Sequence, residues 1–448
     1  MIGAFPWDPF PPGEPEPRGP DPLQGLAYRS AVTATDAYRS VRLALRRENG
    51  TLRVGNRFVP DGRYREIAFL AFGNAANAMA LAALHAVGDR LTQGFLAGPE
   101  PPLPELPFRS EVMPPGWGGA PKAAAAVAAA QELGTGLTEQ DLLLLLLSPG
   151  ALRALCLPPP GVTVEEFARF LESAGAAGAG GREVGRIARV LGTGAVGGRL
   201  AGFAPRARIA TFLLDRGDGA GVVGGGPTRP VSPEERTEVR AFLERTRLSE
   251  QLSPVARDAL VPGGRLSPAP TLSRPVLVAS PTDALRAAAD TLFDKGWTSR
   301  LAFLELREGP EAAADAFLAR TDELVRAEGL TAESRTKGVA TFAMTTLKLP
   351  EGLDEGPALG RFLTRARDGL RRREMSVGLF RTSGAVGAAE YPAGAVVGAP
   401  TDRDASVRPG HARAVPMRPG ITDVGLVAVA LVPIPASGTE RSTERVGR

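Results

Sequence analysis

RIATFLLDRGDGAGVVGGGPT, residues 208–228, is the stretch whose reading decides the fold. The apolar run from Ile209 to Leu214 is too short for a typical helix, and it stops at Asp215. Gly217, Asp218, Gly219, Gly221 and the glycines at 224, 225 and 226 follow. A short apolar run ended by Asp and Gly reads as a buried parallel strand that opens into a loop. In doubly wound α/β sheets, ligands sit beyond the carboxyl ends of the strands, where Gly-rich backbone and a carboxylate suit a phosphate and a metal. A solvated strand-to-helix turn accounts for the same residues, so the stretch alone leaves both readings open.

Two further runs have the same form. Ile67 to Phe72 meets Gly73 and Asn74 and then an Ala-rich helix ending near Gly88, the start of a strand–helix–strand unit. Leu142 to Leu147 stops at Ser148, Pro149 and Gly150, a second candidate ligand loop in which Pro149 removes one amide donor. Upstream, residues 1–23 hold eight prolines and read as an extended arm. Helical spacing from Leu23 to Arg47 and a small hairpin around Gly55 come next. Downstream, the Gly/Pro-rich segment 260–275 marks a boundary. Beyond it strands are expected at 275–279, 301–306, 339–347, 376–380 and 424–432, with helices at 282–295, 310–329 and 357–373. The expectation is therefore an arm (1–23), a Rossmann-like α/β domain (24–262), a smaller α/β domain (263–435) with a cleft between the two, and a polar tail (436–448).

Composition excludes several classes of function. Of 53 basic residues only four are lysines, and the net charge of +4 is too small to demand a nucleic acid. Cys156 is the single cysteine, so no internal disulfide can form, and with two histidines no recognised zinc spacing exists. The N-terminus lacks a basic start and a continuous apolar segment, so no secretory signal is expected. No apolar run approaches the roughly 20 residues of a membrane span. A cytoplasmic protein without membrane contact is the expectation.

Beyond these readings, the order of loops resembles that of the bacterial glycerate 2-kinases, which pair a Rossmann-like N-terminal domain with a C-terminal MOFRL domain. EQDLLLLLLSPGALRALCLPPPGVT (139–163) is similar to the family's Asp-Leu strand, its Ser-Gly-Gly loop and the Leu-Pro-x-x-Gly that follows. VGGRLAGFAPRARIATFLLDRGD (196–218) resembles a Lys-Gly-Gly-Arg-Leu-Ala segment leading to a strand that ends in Gly-Asp, and VGGGPT (223–228) resembles Ala-Ser-Gly-Pro-Thr. TSGAVGAAEYPAGAVV (382–397) resembles the Thr-Asp-Gly-x-Asp-Gly loop, and PGITDVGLVAV (419–429) the terminal Gly-Thr-Asn-x-x-Asp-Leu motif. The likeness runs from about residue 24 to 432.

Such kinases transfer the γ-phosphoryl group of ATP to the 2-hydroxyl of D-glycerate with a divalent metal. This chemistry rests on positioning and charge neutralisation by lysines, arginines and metal-bound carboxylates. The resemblance carries ligand-binding roles to Ser148, Gly150, Arg189, Gly197, Gly198, Arg199 and Thr228, metal roles to Asp215 and Asp218, and a catalytic role to Arg361. Elsewhere the family's residues are replaced, among them at Asn74 and Val196, which stand where lysines are expected, and at Ser383 and Val386, which stand where aspartates are. Together the replacements imply a pseudokinase that keeps the fold and binds a nucleotide or small organic anion, with ATP and Mg as cofactors if binding survives. The alternatives are an active D-glycerate 2-kinase with relocated catalytic groups and a non-enzymatic interaction protein. Homodimerisation, or association with an active paralogue, is compatible with each.

Overall fold

Nearly uninterrupted apolar runs make buried parallel strands, because helices cover both faces of such a sheet. A computed structural model describes residues 22–114, 120–215, 226, 229–258, 260, 275–305, 309–329, 331, 334–345, 355–370, 375–381, 394–398 and 426–433. The chain starts with α1 (Pro22–Ala34) and α2 (Ala37–Ala44), and Asp36 caps α2 by accepting from the Arg39 amide. A three-stranded antiparallel meander follows, β1 (Leu45–Glu48), β2 (Thr51–Val54) and β3 (Arg57–Pro60). The expected single helical stretch to Arg47 thus breaks at Thr35–Asp36 and ends in a strand.

The main sheet is built from β4 (Ile67–Phe72), β5 (Leu91–Gly98), β6 (Arg109–Val112) and β7 (Leu142–Leu147). After the short ladder of β8 (Cys156–Leu157) with β9 (Thr193–Gly194), β10 (Arg208–Leu214) and β11 (Val276–Ala279) complete it. All its pairings are parallel, in the order β11-β10-β7-β4-β5-β6. Numbered within the sheet this is 3-2-1-4-5-6, the order of doubly wound dinucleotide-binding folds. The last strand comes from beyond residue 262. Val276–Ala279, which the sequence places in the second domain, pairs with Phe212–Leu214 and completes the first sheet.

Alternation along each strand divides the core. Phe69, Ala71, Leu144, Leu146, Phe212 and Leu214 face one helical layer, formed by α1, α2, α3 (Ala76–Val87) and, later in the chain, the helix Pro281–Asp294. Leu70, Phe72, Leu143, Leu145, Leu147 and Leu213 face the other, formed by α4 (Ala120–Gly136), α5 (Ala151–Leu155), α6 (Val164–Ala176), α7 (Gly181–Leu191), α8 (Arg199–Gly202), α9 (Pro233–Arg245) and α10 (Pro254–Asp258). Two of these helices start in capping boxes, Thr163 with Glu166 and Ser232 with Glu235.

The helix Pro281–Asp294 is α11, and it joins the two units. It packs on α1 and on a second, five-stranded sheet made of β12 (Thr298–Glu305), β13 (Gly338–Thr345), β14 (Ser376–Arg381), β15 (Gly394–Gly398) and β16 (Leu426–Pro433). The order is β12-β13-β16-β14-β15, parallel only between β12 and β13. Trp297, Ala340, Phe342, Val429 and Leu431 belong to the same apolar cluster as α1 and α11, so one core runs between the sheets. The far face packs on α12 (Pro310–Glu328) and α13 (Glu355–Leu370). Strand β15 was not foreseen, since Ala and Gly dominate its sequence. Among the described residues no helix is long and apolar enough to cross a membrane.

Candidate functional site

Chain order locates the crevice. From β4 the chain runs outward to β5 and β6, then crosses back to β7 and continues to β10 and β11. The loops leaving β4 and β7 therefore diverge to opposite faces, and between them lies the switch point at which such sheets bind ligands. These loops are Gly73–Ala75, which feeds α3, and Ser148–Gly150, which feeds α5.

The two loops are laced together. Ser148 donates its amide to Phe72 O (3.0 Å), and the Asn74 amide donates to Pro149 O (2.8 Å). The Ser148 hydroxyl accepts from the Ala75 amide at 3.0 Å and donates to Phe72 O at 3.3 Å. Ser148 is fully buried, so its hydroxyl satisfies an amide of the α3 terminus that water cannot reach. Gly73 has φ +111°, and a Cβ there would stand 2.4 Å from both oxygens of Ser148. The close approach of the loops thus requires the glycine.

Beyond the lacing, Asn74 Oδ1 accepts from Arg153 Nη2 at 3.2 Å. Gly150, with φ +87°, makes room for this contact: a Cβ would lie 2.5 Å from Asn74 Oδ1. A half-buried guanidinium therefore stands beside the residue that takes the place of the expected lysine.

The second group of expected ligand residues is turned to internal use. Arg189 is 1% exposed and pairs with Glu235 Oε1 (2.5 Å) while donating to the carbonyls of Arg229 and Pro230, both at 2.8 Å. Burial pulls its pKa down, and the Glu235 charge opposes that pull. Arg199 donates to the carbonyls of Gly192 (3.3 Å) and Val196 (3.2 Å). Gly197 and Gly198 have φ of +63° and +90°, and the Gly198 amide donates to Gly226 O at 2.9 Å. Val196 is fully buried in the apolar core. Nearby, burial pushes the Cys156 thiol up to about 12, far from the range of a nucleophilic cysteine.

Asp215, 6% exposed, sits at the carboxyl end of β10 and donates its amide to Ala279 O. Asp218, Pro227, Thr228, Ser383 and Val386 lie outside the described residues. No group of three or more His, Cys, Asp or Glu side chains comes together as a metal cluster among the described residues. Arg361 is on α13, in the layer on the far face of the second sheet, where its ion-pair partner is Glu311 at 3.8 Å. The structure thus brings Asn74, Ser148 and Gly150 together. It sets Arg189, Gly197, Gly198 and Arg199 into a separate network. Arg153 went unnoticed in the sequence, because 49 arginines leave no single one conspicuous and its neighbour is apparent only after folding.

Known proteins bear on these observations. Residues 25–261 match the family described as Domain of unknown function (DUF4147). A glycerate kinase of Danio rerio is 30% identical over 52% of the chain and 49% of its own length. One from Bos taurus is 32% identical over 42% and 38%. The chain spans about half the length, or less, of the curated relatives it matches. Among solved structures, glycerate kinase from Thermotoga maritima superposes with a TM-score of 0.66 at 19% identity, covering 92% of this chain and 98% of that one. A protein from Pyrococcus horikoshii gives 0.67 at 18% identity with the same coverage. The chain belongs to the DUF4147 family and is a homologue of the glycerate kinases.

Proposed function

We propose that the protein is a glycerate kinase-like binder of small anions that does not transfer phosphate. The observation that carries this reading is the fate of the two expected lysines. Asn74 is uncharged where the switch-point loops meet, and Val196 is sealed in the apolar core, where no cation can enter without a large desolvation penalty. Phosphoryl transfer requires positive charge around the moving group, so losing two cations removes a large electrostatic contribution. The laced loops lie at the switch point of the sheet, a ligand-binding position of such folds. Cys156, alone and buried, supports a reducing, cytoplasmic setting.

A second reading, an active D-glycerate kinase with relocated groups, is favoured by one observation: Arg153 returns a cation to the crevice. A coupled assay of ADP release with D-glycerate, ATP and Mg²⁺ separates the two. The proposal expects no turnover above an enzyme-free blank. Turnover that disappears in Asp215→Asn would establish the active kinase instead.

A further inference from the structure

We propose that the open edge of β11, with the groove between α2 and α11 beside it, is the surface on which two copies of this chain associate about a two-fold axis. The proposal is independent of the anion reading above, because β11 lies two strands from β7, at the border of the sheet.

The two borders of the main sheet differ in how they are protected. β6 is guarded: its sequence is Arg-Ser-Glu-Val, Arg109 pairs with Glu132 of α4 at 2.9 Å, and Lys122 Nζ donates to the Val112 carbonyl at 2.8 Å. Charges of this kind keep an unpaired edge from capturing another strand. β11 reads Val-Leu-Val-Ala and pairs with β10 on one side only, and its Leu277 is 48% exposed. Next to it lies a groove of about 450 Å³, to which β11 contributes Val276, Leu277 and Val278 and α2 contributes Leu43 and Ala44. Leu43 is 67% exposed, and the guanidinium of Arg53, also in the groove, lies over the exposed ring of Phe58. Three of the five large apolar side chains exposed among the described residues thus stand at this border. Exposed apolar surface gathered in one place marks an association site.

The charges say what covers it. Arg53 and Arg286 line the groove together with Asp283 and Asp290, two of each sign. On α11, Arg286 follows Asp283 by three positions and precedes Asp290 by four, the spacings at which helical ion pairs form. Among the described residues Arg286 nevertheless pairs with neither, and Asp290 has no hydrogen-bond or ion-pair partner. A patch of one sign would repel its own image and suit a partner of opposite charge. A patch of balanced, unpaired charge beside an apolar strip suits its own image, because a two-fold contact sets residue i against j and j against i. Arg286 of each copy then has Asp290 of the other as its counter-ion. The two β11 strands, antiparallel across the axis, join the sheets.

The test is the mass of the full chain in solution, by sedimentation velocity from low to high micromolar concentration. The natural protein should run as a reversible dimer, and the control Arg320→Asp, on α12, should match it. Arg286→Asp should raise the dissociation constant by about a hundredfold, since two symmetry-related contacts turn from attraction to repulsion. Leu43→Asp should act in the same direction by placing a charge in the apolar strip. Copies carrying Arg286→Asp and copies carrying Asp290→Arg, each impaired alone, should form the dimer when mixed, because both contacts return with reversed sign. Far-UV circular dichroism should be the same for all, since these positions are exposed. A chain that is monomeric throughout, a dimer that withstands either Arg286→Asp or Leu43→Asp, or mixed copies that stay apart would each overturn the inference.

Discussion

The β4–β7 crevice and the Val196–Arg199 loop begin from the same expectation, a lysine beside glycine-rich backbone, and end in opposite states. In the crevice the replacement is Asn74, still polar and in contact with a guanidinium. At the other loop it is Val196, packed in the core, with Arg189 and Arg199 directed at carbonyls and a carboxylate. The difference teaches that a motif can persist for two reasons. Glycines and arginines persist in the second region because they hold a backbone together, whereas in the first region the polar residues join two loops at the switch point of the sheet.

The most severe way to break the comparison is to return the lysine to the core. Val196→Lys puts an unpaired charge among apolar side chains and should cost roughly 4 kcal/mol, read by denaturant unfolding. Asn74→Lys, made in parallel, should cost far less. Equal losses would mean that the two positions do not differ in the way described. Next in size is Arg189→Ala, which leaves Glu235 Oε1 and two carbonyls without their donor and should cost about 3 kcal/mol. A loss under about 0.5 kcal/mol would show that the arginine does not hold the loop.

Ser148→Ala sharpens the account of the crevice. It leaves the buried Ala75 amide without its partner and should cost about 2 kcal/mol. Amide exchange at Ala75 should rise more than at Leu81 within the same helix.

A pH prediction concerns Asp141, at the opposite end of β7. Burial alone would raise its carboxyl above the ordinary 3.8, but hydrogen bonds from Arg65 and Thr138 outweigh this, and the net shift is downward. A depressed carboxyl stabilises the fold above its unfolded value, and that stabilisation is lost as pH falls through the folded value. Asp141→Asn should therefore be less stable than the natural protein at neutral pH by about 1 kcal/mol. The gap should close below the folded value, and a gap independent of pH would contradict the assignment. The smallest effect belongs to Arg153→Gln, whose change in unfolding free energy without ligand should stay within about 0.5 kcal/mol.

Most of the fold was legible because the apolar runs at 67–72, 142–147 and 209–214 are pure enough to be strands with helices on both faces. The origin of the sixth strand was hidden. Val276–Ala279 follows a Gly/Pro-rich segment that looks like a domain boundary, and only its pairing with β10 shows that the first sheet reclaims it. The candidate loops were legible and their side-chain partners were not. Strand ends ahead of glycine announced the loops, but the sequence carries no sign that Arg189 is tied up by Glu235, 46 residues away, or that Arg153 reaches Asn74 across 79. Side-chain partners so far apart in sequence are set by packing, and no local spacing encodes them.

The most direct test is a crystal structure of the protein grown with D-glycerate or inorganic phosphate. The account predicts an anion at the carboxyl ends of β4 and β7, against the loops Gly73–Ala75 and Ser148–Gly150. An anion held instead by Arg189 or Arg199, with the crevice vacant, would contradict it.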